Sequence, residues 1–262
     1  MCSCSVIPEM DETSTAELTE SAPLSSPAED TEIKETAETK GSAATSETLN
    51  GEEISLLTDD GVRLSAIYYA PDSLNQDSRI VILLHEAYRD RSSWDDFSIA
   101  AQEDGYAVIA LDLRGHGRSM GEKTFDQAMD QDVDAVLDWI RASPDLNKDQ
   151  IAIAGASVGA NLALRAGARD PQINTLVLLS PGLKYWELEV EDAMHEYGRR
   201  PVLLVASEED GYSAVSVQRL NEIGPGYDKL VLYPGAAHGT EMIMSQPDLT
   251  VMMLDWFEQT MK

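Results

Sequence analysis

The stretch Ile151-Ala152-Ile153-Ala154-Gly155-Ala156-Ser157-Val158-Gly159 constrains this chain more than any other. Its first four residues are apolar and partly β-branched, as in a buried strand, and Ala160 to Gly167 reads as a helix closed by a glycine. Gly-x-Ser-x-Gly between a strand and a helix is a nucleophile elbow. The turn is so tight that only small residues fit beside the serine, and the hydroxyl is held out at the carboxyl edge of a sheet. The helix N-terminus lies behind it. The five-residue pattern alone arises by chance in roughly one chain of this length in ten. The strand before it and the helix after it give it meaning.

The rest of the chain supplies the sheet that such an elbow needs. Ile54–Thr58 and Val62–Tyr69 alternate around Asp59-Asp60-Gly61 and predict a hairpin. Apolar runs at Arg79–Leu84, Tyr106–Leu111, Thr175–Leu179, Pro201–Val205 and Lys229–Tyr233 predict strands covered on both faces. Helices are predicted at about Trp94–Asp104, Asp126–Ala142, Ser213–Ile223 and Leu249–Met261. In the second of these, Met129, Val133, Val136, Leu137 and Ile140 recur at spacings of three and four. Strands alternating with helices imply an α/β class with a mostly parallel, doubly wound sheet.

That domain is expected over 51–262, behind an acidic tether over 1–50. Met1 to Glu53 holds 13 acids and two lysines, a net charge of −11 out of −28, which leaves −17 on the other 209 residues. A segment so charged and so poor in large apolar groups cannot offset its chain entropy by burial, so it is expected to be disordered. An acidic domain is a poor partner for nucleic acid or anionic lipid. No apolar run reaches the roughly 18 residues of a membrane-spanning helix. Both cysteines, Cys2 and Cys4, stand at the N-terminus, so the domain has no disulfide framework. A cysteine ahead of a Ser/Thr/Glu tether resembles a mature bacterial lipoprotein, with Cys2 as a lipid anchor, although no hydrophobic signal segment precedes it. The expectation is either an envelope lipoprotein whose start lies upstream or a cytoplasmic protein.

A serine hydroxyl needs a base to take its proton and an acid to orient the base. His238 follows the strand at Lys229–Tyr233, among glycines and alanines that leave room for a ring. Asp210 follows the strand at Pro201–Val205, with Glu208 and Glu209 as competing carboxylates. His195 reads as a surface residue, and His116 as a residue that fixes a glycine-rich turn. The four histidines show no paired ligand spacing, so neither a metal nor another cofactor is expected.

Together the Asp60-Gly61 hairpin, His85, the run Asp112-Leu113-Arg114-Gly115-His116-Gly117-Arg118-Ser119, the elbow, Asp210 and His238 resemble the α/β-hydrolase superfamily over Ile54–Lys262. The resemblance implies a Ser157–His238–Asp210 triad, with the Ala87 and Val158 N–H groups as oxyanion donors. His85-Glu86 is similar to dienelactone-hydrolase-like members, in which that glutamate lies next to the nucleophile, a cysteine there. Glu86 is then either a residue of the nucleophile site or a salt-bridged structural glutamate. The segment between Leu179 and Pro201, where larger members carry a cap, has room for one short helix at most. An open pocket edged by Tyr88, Tyr185, Trp186 and Met242 follows, with those aromatics otherwise a cover for the sheet edge.

The leading expectation is a serine hydrolase acting on small-molecule carboxylic esters of short to medium acyl chain. A serine peptidase and a non-catalytic binding protein on the same scaffold are the alternatives.

Overall fold

The computed structural model describes residues 51–262 apart from Ser73, Gln76 and Asp77. The expected tether, and Cys2 with it, lie outside the described residues.

Eight strands form one sheet: β1 (Glu52–Leu57), β2 (Arg63–Tyr69), β3 (Ile80–Leu84), β4 (Ala107–Leu111), β5 (Ile151–Ala156), β6 (Ile173–Leu179), β9 (Val202–Ser207) and β10 (Asp228–Tyr233). Their order is β1-β2-β4-β3-β5-β6-β9-β10. β1 and β2 pair antiparallel, as do β2 and β4, and every other neighbour is parallel. This is the α/β-hydrolase arrangement, with its leading hairpin turned at Gly61 (φ 84°).

Apolar runs become central strands because both faces are covered. Ile80, Ile82 and Leu84 of β3 point into one core, with α2 (Asp130–Ala142), α3 (Val158–Arg169) and α5 (Gly211–Ile223). Val81 and Leu83 point into the other, with α1 (Asp95–Glu103) and α7 (Leu249–Thr260). Each such buried aliphatic side chain contributes about 1.5–3 kcal/mol. Before α2, Asp126 starts a short 3₁₀ turn by accepting from the Ala128 N–H at 2.8 Å. Asp130 and Asp132 then sit in the helix's first turn, where its dipole favours negative charge. Val133, Val136, Leu137 and Ile140 bury its inner face, and Pro144 follows the end.

The glycine-rich run after β4 is a structural lock. Asp112 accepts from the Arg91 N–H at 2.9 Å and the Arg118 N–H at 2.8 Å, and pairs with the Arg91 guanidinium. Gly117 is required there, because a Cβ would overlap the Asp112 carboxylate. Arg114 is buried between Asp132 (2.7 Å) and the hairpin residue Asp60 (2.8 Å). His116 fixes the turn, its Nδ1 lying 2.9 Å from the Arg114 carbonyl oxygen.

Between Leu179 and Pro201 the structure departs from expectation. A small hairpin, β7 (Lys184–Tyr185) with β8 (Leu188–Glu189), precedes α4 (Glu191–Tyr197). Two-residue hairpin turns normally announce themselves with Gly, Asn or Asp at positive φ. Here Trp186 takes that conformation (φ 50°), so the turn leaves no signal in the sequence.

At the start of the edge strand β10, burial pushes the Asp228 carboxyl up to about 6, and one of its oxygens has no partner. A carboxyl raised in the fold costs stability as pH rises from about 3.9, its ordinary value, to about 6, and the cost is constant above that. Asp228→Asn is therefore expected to be more stable than wild type at pH 7. Discounted for partial exposure, the gain is about 1 kcal/mol, or about 2–4 °C. Thermal melts from pH 4 to 8 check this: the gain should vanish towards pH 4.

Candidate active site

Ser157 joins β5 to α3 with φ 52° and ψ −117°. Both flanking glycines of the elbow are obligatory. A Cβ on Gly155 would overlap the Gly159 carbonyl oxygen, and one on Gly159 would overlap that of Leu84. The Ser157 N–H donates to the Leu179 carbonyl at 2.8 Å, tying the elbow to the neighbouring strand. The residue is 6% exposed.

The close approach of Gly159 to Leu84 and His85 sets the end of β3 against the start of α3. His85 is fully buried; its Nδ1 lies 2.7 Å from the Glu86 carbonyl oxygen, and its Nε2 accepts from the Leu113 N–H at 3.1 Å. That pattern assigns the proton to Nδ1, and burial lowers the ring's pKa to about 4, so it stays neutral. His85 thereby anchors the loop carrying Glu86 and Ala87. Val158 is the first residue of α3, where an N–H has no partner within the helix. Neither the Ala87 nor the Val158 N–H has a backbone acceptor among the described residues.

His238 lies beyond β10 and Asp210 beyond β9, and their Nδ1 and Oδ2 are 2.7 Å apart. Glu208 and Glu209 face solvent; their N–H groups bond the Tyr233 and Gly235 carbonyls and knit the two loops together. Ser207 Oγ holds the Ala237 carbonyl at 2.6 Å, and the Gly239 N–H donates to Ser180 Oγ at 3.1 Å. Thr240 Oγ1 donates to Glu86 Oε1 at 2.6 Å. The histidine loop is thus held from three sides. It also abuts the elbow, since a Cβ on Gly239 would stand 3.4 Å from that of Ala156.

Glu86 is buried beside Gly239, and its Oε2 has no hydrogen-bond partner. Its contact with Arg89 is long, 4.0 Å, and Arg89 bonds Glu241 at 2.8 Å instead.

Tyr185, in the small hairpin, touches both halves of the site. Its hydroxyl lies 3.2 Å from the Ser180 carbonyl oxygen and 3.2 Å from Ser213 Oγ, with the Ser157 hydroxyl alongside. Burial raises its pKa. Its ring stands edge-on to His238 at 6.5 Å. Tyr88 and Trp186 are exposed. Met242 does not edge the pocket: it is fully buried in the core beneath, 3.5 Å from Ser180 Oγ, on the short helix α6 (Glu241–Ser245). Phe125 stacks on Trp186 at 4.1 Å, a contact with no signal in the sequence, because Phe125 comes from a loop without motif or periodicity. His195 is exposed, and among the described residues no group of three or more His, Cys, Asp or Glu could hold a metal ion.

Residues 60–260 match the sequence model of the X-Pro dipeptidyl-peptidase (S15) family. The chain belongs to that family. This S15-family chain is also similar to an uncharacterized protein of Mycobacterium tuberculosis, 29% identical over 131 residues, or 50% of this chain and 46% of that protein. A polyketide transferase of a Penicillium species is 29% identical over 143 residues, 49% of either chain. The match thus spans about half the length of these curated relatives. Among solved structures, an esterase of Pyrococcus furiosus superposes with a TM-score of 0.69 at 21% identity, over 81% of this chain and 91% of that one. A dienelactone hydrolase of Anabaena variabilis gives 0.65 at 19%, over 81% and 100%. Identities this low establish the α/β-hydrolase fold and leave the substrate open. Among the described residues, no helix is long and apolar enough to cross a membrane.

Proposed function

We propose that this S15-family chain is a serine hydrolase that cleaves small-molecule carboxylic esters through Ser157, His238 and Asp210. The observation that carries the reading is the 2.7 Å His238–Asp210 pair, held against an elbow whose serine sits at positive φ. His238 Nε2 takes the Ser157 proton as Oγ attacks the acyl carbon. The oxyanion is received by the Ala87 and Val158 N–H groups, and the Asp210 carboxylate stabilises the imidazolium. The imidazolium then protonates the departing alcohol. Water, deprotonated by the same ring, hydrolyses the acyl-enzyme and restores Ser157. Tyr88 and Trp186 edge the substrate pocket, and its open mouth suits short or medium acyl chains.

Family membership favours a second reading, a dipeptidyl peptidase using the same three residues. Turnover of a simple methyl ester against that of an X-Pro anilide with a free amino terminus separates the two. The ester reading expects hydrolysis of the ester; cleavage of the anilide alone would replace it with the peptidase reading.

Glu86 belongs to the nucleophile site in this account, because its ion pair is too long and too exposed on the Arg89 side to explain its burial. Glu86→Gln keeps an acceptor for Thr240 and removes the charge. The expected outcome is an altered acylation rate and an altered pH profile in stopped-flow assays, with the stability changed by no more than about 1 kcal/mol. A large stability loss with unaltered acylation would make Glu86 structural.

A further inference from the structure

Four residues other than glycine have positive φ among the described residues: Tyr88 (65°), Ser157 (52°), Ser180 (50°) and Trp186 (50°). All four surround the site. Ser157 needs the conformation for the elbow. Ser180 uses it to donate its N–H to the Val205 carbonyl at 2.7 Å while its Oγ holds the Gly239 N–H. Tyr88 and Trp186 take it to make turns, Tyr88 as the third residue of the turn closed by the Arg89 N–H on the Glu86 carbonyl at 3.4 Å and Trp186 between β7 and β8, and both are bulky side chains where glycine is usual.

The two turns present these rings at the surface. Tyr88 is 71% exposed and Trp186 is 48% exposed. Trp186 stacks on Phe125 at 4.1 Å and 22°, and Tyr88 stands edge-on to both, 5.7 Å from Phe125 and 6.4 Å from Trp186, each at 72°. The result is a corner, with ring faces meeting at nearly a right angle. It starts beside Ala87, since Tyr88 is the next residue. It ends at the base, since Trp186 adjoins Tyr185 at 6.4 Å and Tyr185 adjoins His238 at 6.5 Å. An ester placed between Ala87 and His238 carries its substituents along this corner.

A flat ring gains offset stacking on one wall and an edge contact on the other, which an alkyl group of equal size does not. A cationic group is not what Tyr88 lacks, because Lys123 Nζ already lies 5.7 Å from that ring's centre. An anion is disfavoured by the domain's net negative charge. We propose that Tyr88 and Trp186, backed by Phe125, bind an aromatic ring carried by a neutral ester in its acyl or its alcohol part, which makes the chain selective for aromatic esters. The proposal rests on the serine-hydrolase reading.

The test compares kcat/KM by pH-stat for two matched pairs. Methyl 3-phenylpropanoate against methyl 3-cyclohexylpropanoate probes the acyl part, and benzyl acetate against cyclohexylmethyl acetate probes the alcohol part. One pair is expected to favour the aromatic member by roughly tenfold, the size of a ring–ring gain combined with its burial. Trp186→Leu and Tyr88→Leu are each expected to bring that ratio close to one. Ratios near one in both pairs in the wild type, or ratios that neither substitution moves, overturn the proposal. Tyr88→Gly relieves the backbone and removes an exposed ring, so its thermal midpoint is expected to equal or exceed that of the wild type while the ring preference falls. A lower midpoint with the preference intact would make Tyr88 a mere cover and overturn its role. Inactivation rates with benzyl and cyclohexylmethyl phosphonofluoridates give the same ratio without turnover. No turnover of any of the four esters together with no adduct on Ser157 overturns the hydrolase reading itself, and the aromatic preference falls with it.

Discussion

Ser157→Ala is expected to lower ester hydrolysis by several orders of magnitude, on the order of a millionfold where the three residues act as a unit. The residue is 6% exposed and loses one oxygen. The bond from its N–H to Leu179 is a backbone bond and persists. Alanine meets the same strain as serine at φ 52°, so the fold should be retained with a thermal midpoint within a few degrees of wild type. His238→Ala is expected to cost a similar factor, and the double variant little more than either, because each removes the same step. Equal hydrolysis by wild type and Ser157→Ala would mean that the chemistry lies elsewhere.

The largest loss of stability is expected far from the chemistry, at Asp132. Its carboxylate is fully buried; Oδ1 pairs with the Arg114 guanidinium at 2.7 Å, and Oδ2 accepts the Arg114 N–H at 2.8 Å. Asp132→Ala removes both contacts and leaves Arg114, itself buried, with only the hairpin carboxylate of Asp60. Breaking a buried pair from one side costs about 3–5 kcal/mol. For a domain of this size that is a fall in the thermal midpoint of about 10 °C or more. Asp132→Asn retains an acceptor for the Arg114 N–H and should lose less. Scanning calorimetry of both variants checks the order. An unchanged midpoint in Asp132→Ala would mean that Arg114 does not depend on this partner. The effect should reach the site, because Leu113, next to Arg114, donates its N–H to His85, which anchors the loop of Glu86 and Ala87.

The fold was legible in the sequence because its central strands are buried on both faces. Ile80–Leu84 could hardly be anything else, and the periodicity of Val133, Val136, Leu137 and Ile140 leaves one face for α2. The elbow was legible for a different reason: Gly155 and Gly159 are demanded by backbone-to-backbone contact, which no other residue tolerates. The sequence favoured Asp210 over Glu208 and Glu209 by its distance from the strand end and the Gly211 after it, and the turn decides which way each carboxylate points. In the structure only Asp210 faces His238. The small hairpin of β7 and β8 was hidden because its turn is made by Trp186 rather than glycine. Met242 was misplaced at the pocket edge, since the short helix α6, which buries it, is too brief to show a period. Phe125 meets Trp186 by a long-range ring stack, and local pattern carries no trace of such a contact.

Covalent labelling tests Ser157 as the nucleophile without knowledge of the natural substrate. The intact protein is treated with a fluorophosphonate, weighed by mass spectrometry, and the modified peptide is sequenced. A single adduct on Ser157, absent from Ser157→Ala and slowed in His238→Ala, is the expected result. No adduct on a folded protein, or an adduct on any other residue, would contradict it.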